Sequence, residues 1–260
     1  MKITIIGAGN MGGAIARGLA RGSRVAAADI TVADPDPGKL DSIKASNPHI
    51  HTATSNREAA AGAGIILIAV KPWLVKEVIT ALDINPAKQI IASVAAGIPF
   101  SEYTAWITPQ PATLFRIVPN TAISQQESMT LVASHNATRE QEQLIISLFE
   151  EMGPTMLIPE KQIPATTALA SCGIAYVLKY IQAAMQAGIE MGIAPKDAAK
   201  IVAQSAKGAA ALILKGDTHP AVEIDKVTTP GGITIKGINE LEHAGFTSAV
   251  IRALKEAGKG

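Results

Sequence analysis

The first six residues, Met1-Lys2-Ile3-Thr4-Ile5-Ile6, run without a break into Gly7-Ala8-Gly9-Asn10-Met11-Gly12 and then into Ala14-Ile15-Ala16-Arg17-Gly18-Leu19-Ala20. A short apolar strand, glycines spaced Gly-x-Gly-x-x-Gly and a helical pattern, in that order, constrain the fold more than any other stretch. Gly7 permits a tight turn off the strand, Gly9 lets the backbone come close to a phosphate, and Gly12 lets the helix lie near the sheet. The unpaired N–H groups of the helix's first turn then face an anion. Three glycines alone would say little; the strand before and the helix after supply the context that the motif requires. The stretch predicts that Gly7, Gly9, Asn10, Met11 and Gly12 hold the pyrophosphate of a dinucleotide.

Alternation of strands and helices continues downstream. Strands are expected at Ala28–Asp34, Gly64–Val70 and Gln89–Val94, with further ones at Thr113–Val118, Met129–Ala133 and Thr155–Ile158. Helices are expected at Lys39–Ser46, from Trp73 to Leu82, and after Thr138, where Thr138 and Gln141 have the spacing of a capping box. The continuous apolar run Ile65-Ile66-Leu67-Ile68 suits a strand covered on both faces of a parallel sheet. Such alternation means an α/β fold, a Rossmann-type doubly wound parallel sheet. Past Pro164 strand-like runs end, and long Ala-rich helical patterns are broken only at Gly192, at Gly216 to Pro220 and at Thr228 to Gly232. A dinucleotide-binding domain over 1–160 and an all-helical domain over 161–260 are therefore expected. Ala175, Leu178, Ile181, Met185, Ile189 and Ile193 keep one helical stripe through the first long helix of the second part.

Composition excludes several classes. With 260 residues, 48% of them apolar and 17% charged, the chain has enough material for a packed core and is not of disordered type. The net charge of +1 and the lack of a Lys/Arg run give nucleic acid or an anionic membrane no electrostatic purchase. The most apolar stretch, Ala165 to Ile193, contains Lys179 and Glu190, which argues against a membrane span. The single cysteine, Cys172, forms no internal disulfide, so a reducing cytoplasmic setting is expected. Without a Lys, Arg or His near it in sequence, Cys172 reads as a packing cysteine. The histidines are scattered and no metal-ligand spacing is present, so no metal is expected.

Ligands of open parallel sheets bind at the carboxyl ends of the strands. Asp34 stands at the tip of the second strand, roughly twenty residues past the glycines, where a carboxylate accepts from ribose hydroxyls and repels a 2′-phosphate. On that argument NADH is favoured over NADPH; the alternative is that Asp34 merely opens an Asp-Pro turn. Ala69, Val70, Lys71 and Pro72 end the next strand, and Ala95, Ala96 and Gly97 the one after. Lys71 either reaches the cofactor or is solvated at the strand's end.

These blocks, with Arg116-Ile117-Val118-Pro119-Asn120-Thr121 and Val227-Thr228-Thr229-Pro230-Gly231-Gly232-Ile233-Thr234, resemble those of the pyrroline-5-carboxylate reductases, in family order and over nearly the whole chain. The Pro-Gly-Gly block is the most specific. The resemblance implies reduction of the cyclic imine 1-pyrroline-5-carboxylate to proline with NADPH or NADH. It also implies a homodimer through the C-terminal helices, built in some members into a larger ring. By carry-over, Asn56 touches the adenosine ribose, and Gly231, Gly232, Ile233 and Thr234 hold the substrate carboxylate with Thr229 beside them. The Thr234 hydroxyl meets the ring nitrogen as the catalytic group; plain helix capping is the other reading of Thr228, Thr229 and Thr234. The family's Ser-Gly-Ser-Gly-Pro-Ala-Tyr is here Ala170-Ser171-Cys172-Gly173-Ile174-Ala175-Tyr176, which places Cys172 at the substrate loop. Two rivals stand beside this reading: another short Rossmann reductase of β-hydroxyacid or deazaflavin-linked type, and a nicotinamide-binding regulatory protein without catalysis.

Overall fold

A computed structural model describes residues 1–107 and 111–259. Strand β1 (Ile3–Ile6) is buried at all four positions, and helix α1 (Asn10–Arg21) follows the glycines directly. Strand β2 (Ile30–Ala33) is shorter than its apolar run because Ala27–Asp29 turns as a 3-10 helix. Asp36 then caps α2 (Pro37–Ser46), its side chain accepting from the Gly38 N–H while Pro37 fills the first turn. Strand β3 (His51–Ala53) and helix α3 (Asn56–Ala60) come next; the sequence reading expects neither. After β4 (Ile65–Ile68), a 3-10 turn at Pro72–Leu74 and a short α4 (Val75–Thr80) replace the single helix expected there. Then follow β5 (Ile90–Ser93), α5 (Phe100–Trp106), β6 (Thr113–Val118), β7 (Thr130–His135), α6 (Arg139–Glu150) and β8 (Thr155–Leu157). The Thr138/Gln141 capping box at the start of α6 is formed in both directions.

The strands make one eight-stranded sheet in the order β3-β2-β1-β4-β5-β6-β7-β8. Every neighbouring pair is parallel except β6 with β7, which is antiparallel. The expectation of a parallel sheet is corrected at that strand. Parallel neighbours need a long crossover, and only a 3-10 turn, Thr121–Gln125, lies between Val118 and Thr130. Alternate residues serve opposite faces: Ile5 and Leu67 pack with Ile15 and Leu19 of α1 and Leu148 of α6. Ile6, Ile66 and Ile68 pack with Val75, Ile79, Phe100 and Tyr103 from α4 and α5. Both faces are therefore covered, the doubly wound arrangement.

The chain divides into two units, Met1–Ser171 and Cys172–Lys259. The division falls after the expected residue 160 because α7 (Ile163–Thr167) belongs to the first unit, burying Ile163 in the core on the α4–α5 face. Ala168–Cys172 form a π-helical turn. The second unit is all helical: α8 (Gly173–Glu190), α9 (Pro195–Gly216), α10 (Pro220–Val227), α11 (Ile233–His243) and α12 (Phe246–Ala257). Helices α8 and α9 pack together where Gly188 meets Ala198, and these are the unit's only buried residues among those described. The apolar stripe on α8 is real and only partly covered: Leu178 is 58% exposed while Ile181 and Met185 are half-buried, and Ile193 lies past the helix's end. The run Glu160–Glu190 is long and apolar enough, by length and composition alone, to cross a membrane.

Candidate cofactor and substrate sites

The strand order reverses between β1 and β4, so the crevice that open sheets offer lies at the carboxyl ends of these two strands. Those ends touch. Gly7 has φ +109°, and a Cβ there would stand 2.6 Å from the Ala69 carbonyl oxygen and 3.2 Å from Val70 Cγ1. A Cβ on Gly12 would run into the Gly7 carbonyl and lie 3.0 Å from Ala69 Cβ. The protein's own packing thus requires both glycines. Gly9 differs. Its φ of −66° and ψ of −173° suit any residue, and a Cβ there would meet no atom within 4 Å. Among the described residues nothing crowds this point, which leaves the main chain open to an approaching group. Helix α1 starts at the next residue with no side-chain cap and no acidic residue in its first turn, leaving its positive end to an anion.

Backbone bonds bring the neighbouring strand ends alongside. Gly7 N–H donates to Ala33 O (2.7 Å), Asp34 N–H to Ala53 O (3.2 Å), Ala69 N–H to Ile6 O (2.8 Å) and Val94 N–H to Ile68 O (3.0 Å). The Asp34 carboxylate, 5% exposed, is built into this edge. Its Oδ2 accepts from Ala8 N–H (2.8 Å) and its Oδ1 from Asp36 N–H (3.0 Å), with Lys39 Nζ 3.3 Å from Oδ1. Asp34 therefore opens the turn and also pins the glycine loop; lone pairs beyond these bonds are what it has for a ribose. Lys39 offsets part of its charge and lies 3.9 Å from Asp36 Oδ2.

Asn56 begins α3 behind Ser55, whose hydroxyl accepts from Glu58 N–H. Its Oδ1 is buried without a partner. An unmet buried acceptor costs about 1–3 kcal/mol, so this oxygen suits a hydroxyl donor from outside the chain. With Gly9, it is why the residues present fit a dinucleotide. Lys71 is exposed at the end of β4, and Pro72 opens the 3-10 turn after it. Ala95, Ala96 and Gly97, the last at φ +80°, leave the end of β5.

In the second unit, Gly231 has φ +71° and Gly232 caps α11, again with no side-chain cap and no acidic residue in the first turn. A Cβ on Gly232 would lie 2.6 Å from Thr229 Oγ1, so the turn needs glycine there. Gly232 N–H already donates to Thr229 O (3.0 Å), which leaves the Ile233 and Thr234 amides as the donors of this turn. Ile233 is 87% exposed. Thr228 takes the capping role, its hydroxyl donating to Ile224 O (3.2 Å). His219 caps α10 through Nδ1, and Cys172, half-buried, closes the π turn.

Sequence reasoning gave no role to three side chains that shape these edges. Asn120 Nδ2 donates to Ala170 O in the π turn (3.0 Å), while its Oδ1 accepts from Ala122 N–H. Glu160 Oε1 accepts from both Arg116 Nη1 and Phe100 N–H, each at 2.7 Å. Tyr103 donates to Ser93 Oγ at 2.7 Å. A polar residue inside an apolar segment, such as Arg116 within Thr113–Val118, was the available signal.

Residues 160–259 match the family described as pyrroline-5-carboxylate reductase dimerisation, and residues 2–97 that described as NADP oxidoreductase, coenzyme F420-dependent. Pyrroline-5-carboxylate reductase 2 of Dictyostelium discoideum is 36% identical over 97% of this chain and 89% of its own length. Pyrroline-5-carboxylate reductase 1 of the same organism is 34% identical over 97% of this chain, which spans about half (48%) of that protein. The crystal structure of a Plasmodium falciparum pyrroline carboxylate reductase with NADP bound superposes with a TM-score of 0.90 at 25% identity, covering 100% of this chain and 96% of that one. On these grounds the chain belongs to the pyrroline-5-carboxylate reductase family.

Proposed function

We propose that this chain reduces 1-pyrroline-5-carboxylate to proline with a reduced nicotinamide dinucleotide, in the cytoplasm, as a homodimer joined through its C-terminal helices and open to assembly into a larger ring. Family membership supports the reaction, and Gly9 carries the cofactor end, being a glycine with no reason inside the protein. When bound, the dinucleotide supplies the hydride. The chain's residues do the rest. The bare first turn of α1 (Asn10, Met11 and Gly12) neutralises the diphosphate, Asn56 Oδ1 and Asp34 accept from ribose hydroxyls, and Ala69–Pro72 and Ala95–Gly97 border the crevice.

The amides of Ile233 and Thr234, at the uncapped start of α11, hold the substrate carboxylate. The imine nitrogen is basic enough to be protonated near neutral pH, and the Thr234 hydroxyl accepts from that ring N–H. The iminium carbon gains the hydride and the nitrogen keeps the proton, so no separate acid is needed; the protein's part is orientation. Asp34 and Asp36 against Lys39 leave one net negative charge beside the ribose, which supports NADH over NADPH. Exposed apolar side chains of α8 to α12 have the chemistry to be buried by a second copy, which also accounts for the apolar run at Glu160–Glu190 without a membrane.

The test is to follow NADH and NADPH oxidation with 1-pyrroline-5-carboxylate, then to repeat with Thr234→Ala. Turnover by the parent and a loss of kcat/KM of about a hundred-fold in the variant are expected. Oxidation of neither cofactor by the parent removes the assignment.

A further inference from the structure

Two loops at the crevice each have one backbone amide fixed by a buried side chain. Asp34 does this for Ala8 N–H in the glycine loop. The other lies beyond β5, where Ala95 N–H donates to Ser93 Oγ (3.2 Å) and Ser93 Oγ also accepts from the Tyr103 hydroxyl (2.7 Å). Ser93 and Tyr103 are each 2% exposed. A phenylalanine would fill the same core volume as Tyr103, so the buried hydroxyl earns its place only through the bond it makes. That bond ends on Ser93, whose second partner is an amide of the Ala95–Gly97 loop.

Helix α5, which carries Tyr103, is itself fixed at its start. Glu160 Oε1 accepts from Phe100 N–H there, and it also pairs with Arg116, the residue opposite Ser93 in the β5–β6 register. Trp106 meets the Tyr103 ring edge-on at 5.6 Å, away from the hydroxyl's bond to Ser93. Burial pushes the Tyr103 hydroxyl pKa up, further still from physiological pH, where the phenol is in any case a neutral donor.

We propose that Tyr103 and Ser93 are positioning residues for the nicotinamide cofactor, setting the path of the Ala95–Gly97 main chain through a Tyr103–Ser93–Ala95 chain of hydrogen bonds. The inference deepens the proposed function and rests on that loop bordering the cofactor. Both residues act through backbone, so their removal loosens cofactor binding without removing any group that touches it.

The experiment is a fluorescence titration of the full-length protein with NADH, alongside KM for NADH, kcat and thermal midpoint, for the parent, Tyr103→Phe, Ser93→Ala, the double variant and Trp106→Phe. Tyr103→Phe keeps the ring and is expected to raise Kd and KM for NADH about three- to ten-fold with a smaller change in kcat. Ser93→Ala is expected to do at least as much, and the double variant no more than Ser93→Ala, because the bonds act in series. Trp106→Phe, which perturbs packing on the same helix, is expected to lower the thermal midpoint and leave Kd unchanged. A Tyr103→Phe protein with parental Kd and KM overturns the inference, as does full additivity in the double variant. A parent that binds neither NADH nor NADPH removes the proposed function and this inference with it.

Discussion

Gly9→Ala separates what the fold needs from what the ligand needs. A Cβ at this position meets no atom within 4 Å, and the backbone conformation is open to alanine. Losing glycine's flexibility in the unfolded chain stabilises by about 0.4–1 kcal/mol. Alanine is a poorer N-cap than glycine, which costs a similar amount, so the net change lies within about 1 kcal/mol of zero. For a chain of this size that is a shift in thermal midpoint of no more than about 4 °C. Cofactor binding is another matter. On the proposed reading the added methyl would stand where the phosphates meet α1, and disturbing even one charge-assisted amide bond costs about 1.5–3 kcal/mol, or roughly ten- to a hundred-fold in Kd. Gly12→Ala is the contrast: its Cβ collides with the Gly7 carbonyl, so stability falls by about 1–3 kcal/mol as well. NADH titration by fluorescence and thermal unfolding by circular dichroism read the two effects independently. A Gly9→Ala protein of parental stability that binds NADH as tightly as the parent would refute the assignment of Gly9 to a ligand.

Asp34→Ala strips the acceptor from Ala8 N–H and a negative charge from the crevice; NADH affinity is expected to fall, and the NADH/NADPH ratio of kcat/KM to drop by about ten-fold. An unchanged ratio would mean that Asp34 serves only the turn. Leu178→Glu, at an exposed position of the α8 stripe, is expected to shift the protein to monomer in sedimentation velocity, and a parental oligomer would place the subunit contact elsewhere. The Tyr103 hydroxyl, its pKa raised by burial, contributes stability that is complete below its unfolded value near 10 and is lost as pH rises through the folded one. The urea midpoint of the parent should therefore fall relative to that of Tyr103→Phe above about pH 10, and a constant difference from pH 8 to 10.5 would contradict the burial argument.

Much of the fold was written in local pattern. β1 and the start of α1 sit where an apolar run meets the glycines, and β6 spans Thr113–Val118 as read. β3 escaped because a three-residue edge strand, His51-Thr52-Ala53, has no apolar period to show. The direction of β7 depends on how the chain returns, and its connection is too short for a crossover helix. Composition changes at Pro159, where the dimerisation family match begins at residue 160, while the packing of α7 with the sheet carries the compact first unit on to Ser171. At the candidate site, the tight turn at Gly7 and the close packing at Gly12 are legible from the glycine spacing. That Asp34 points at Ala8, that Gly232 spends its amide on Thr229, and that Tyr103 reaches Ser93 are facts of side-chain direction, which sequence spacing does not carry.

Among the described residues of the helical unit, Gly188 and Ala198 alone are shut away from water, so some ninety residues of mostly helix have almost no interior of their own. For a protein that pairs through these helices, maturation then has a second-order step: the rate at which newly made chains become durable rises with how many are present. Dilution works in reverse, since each dissociation event hands apolar surface back to solvent and opens the chain to proteases. Abundance thus becomes part of what keeps the enzyme alive.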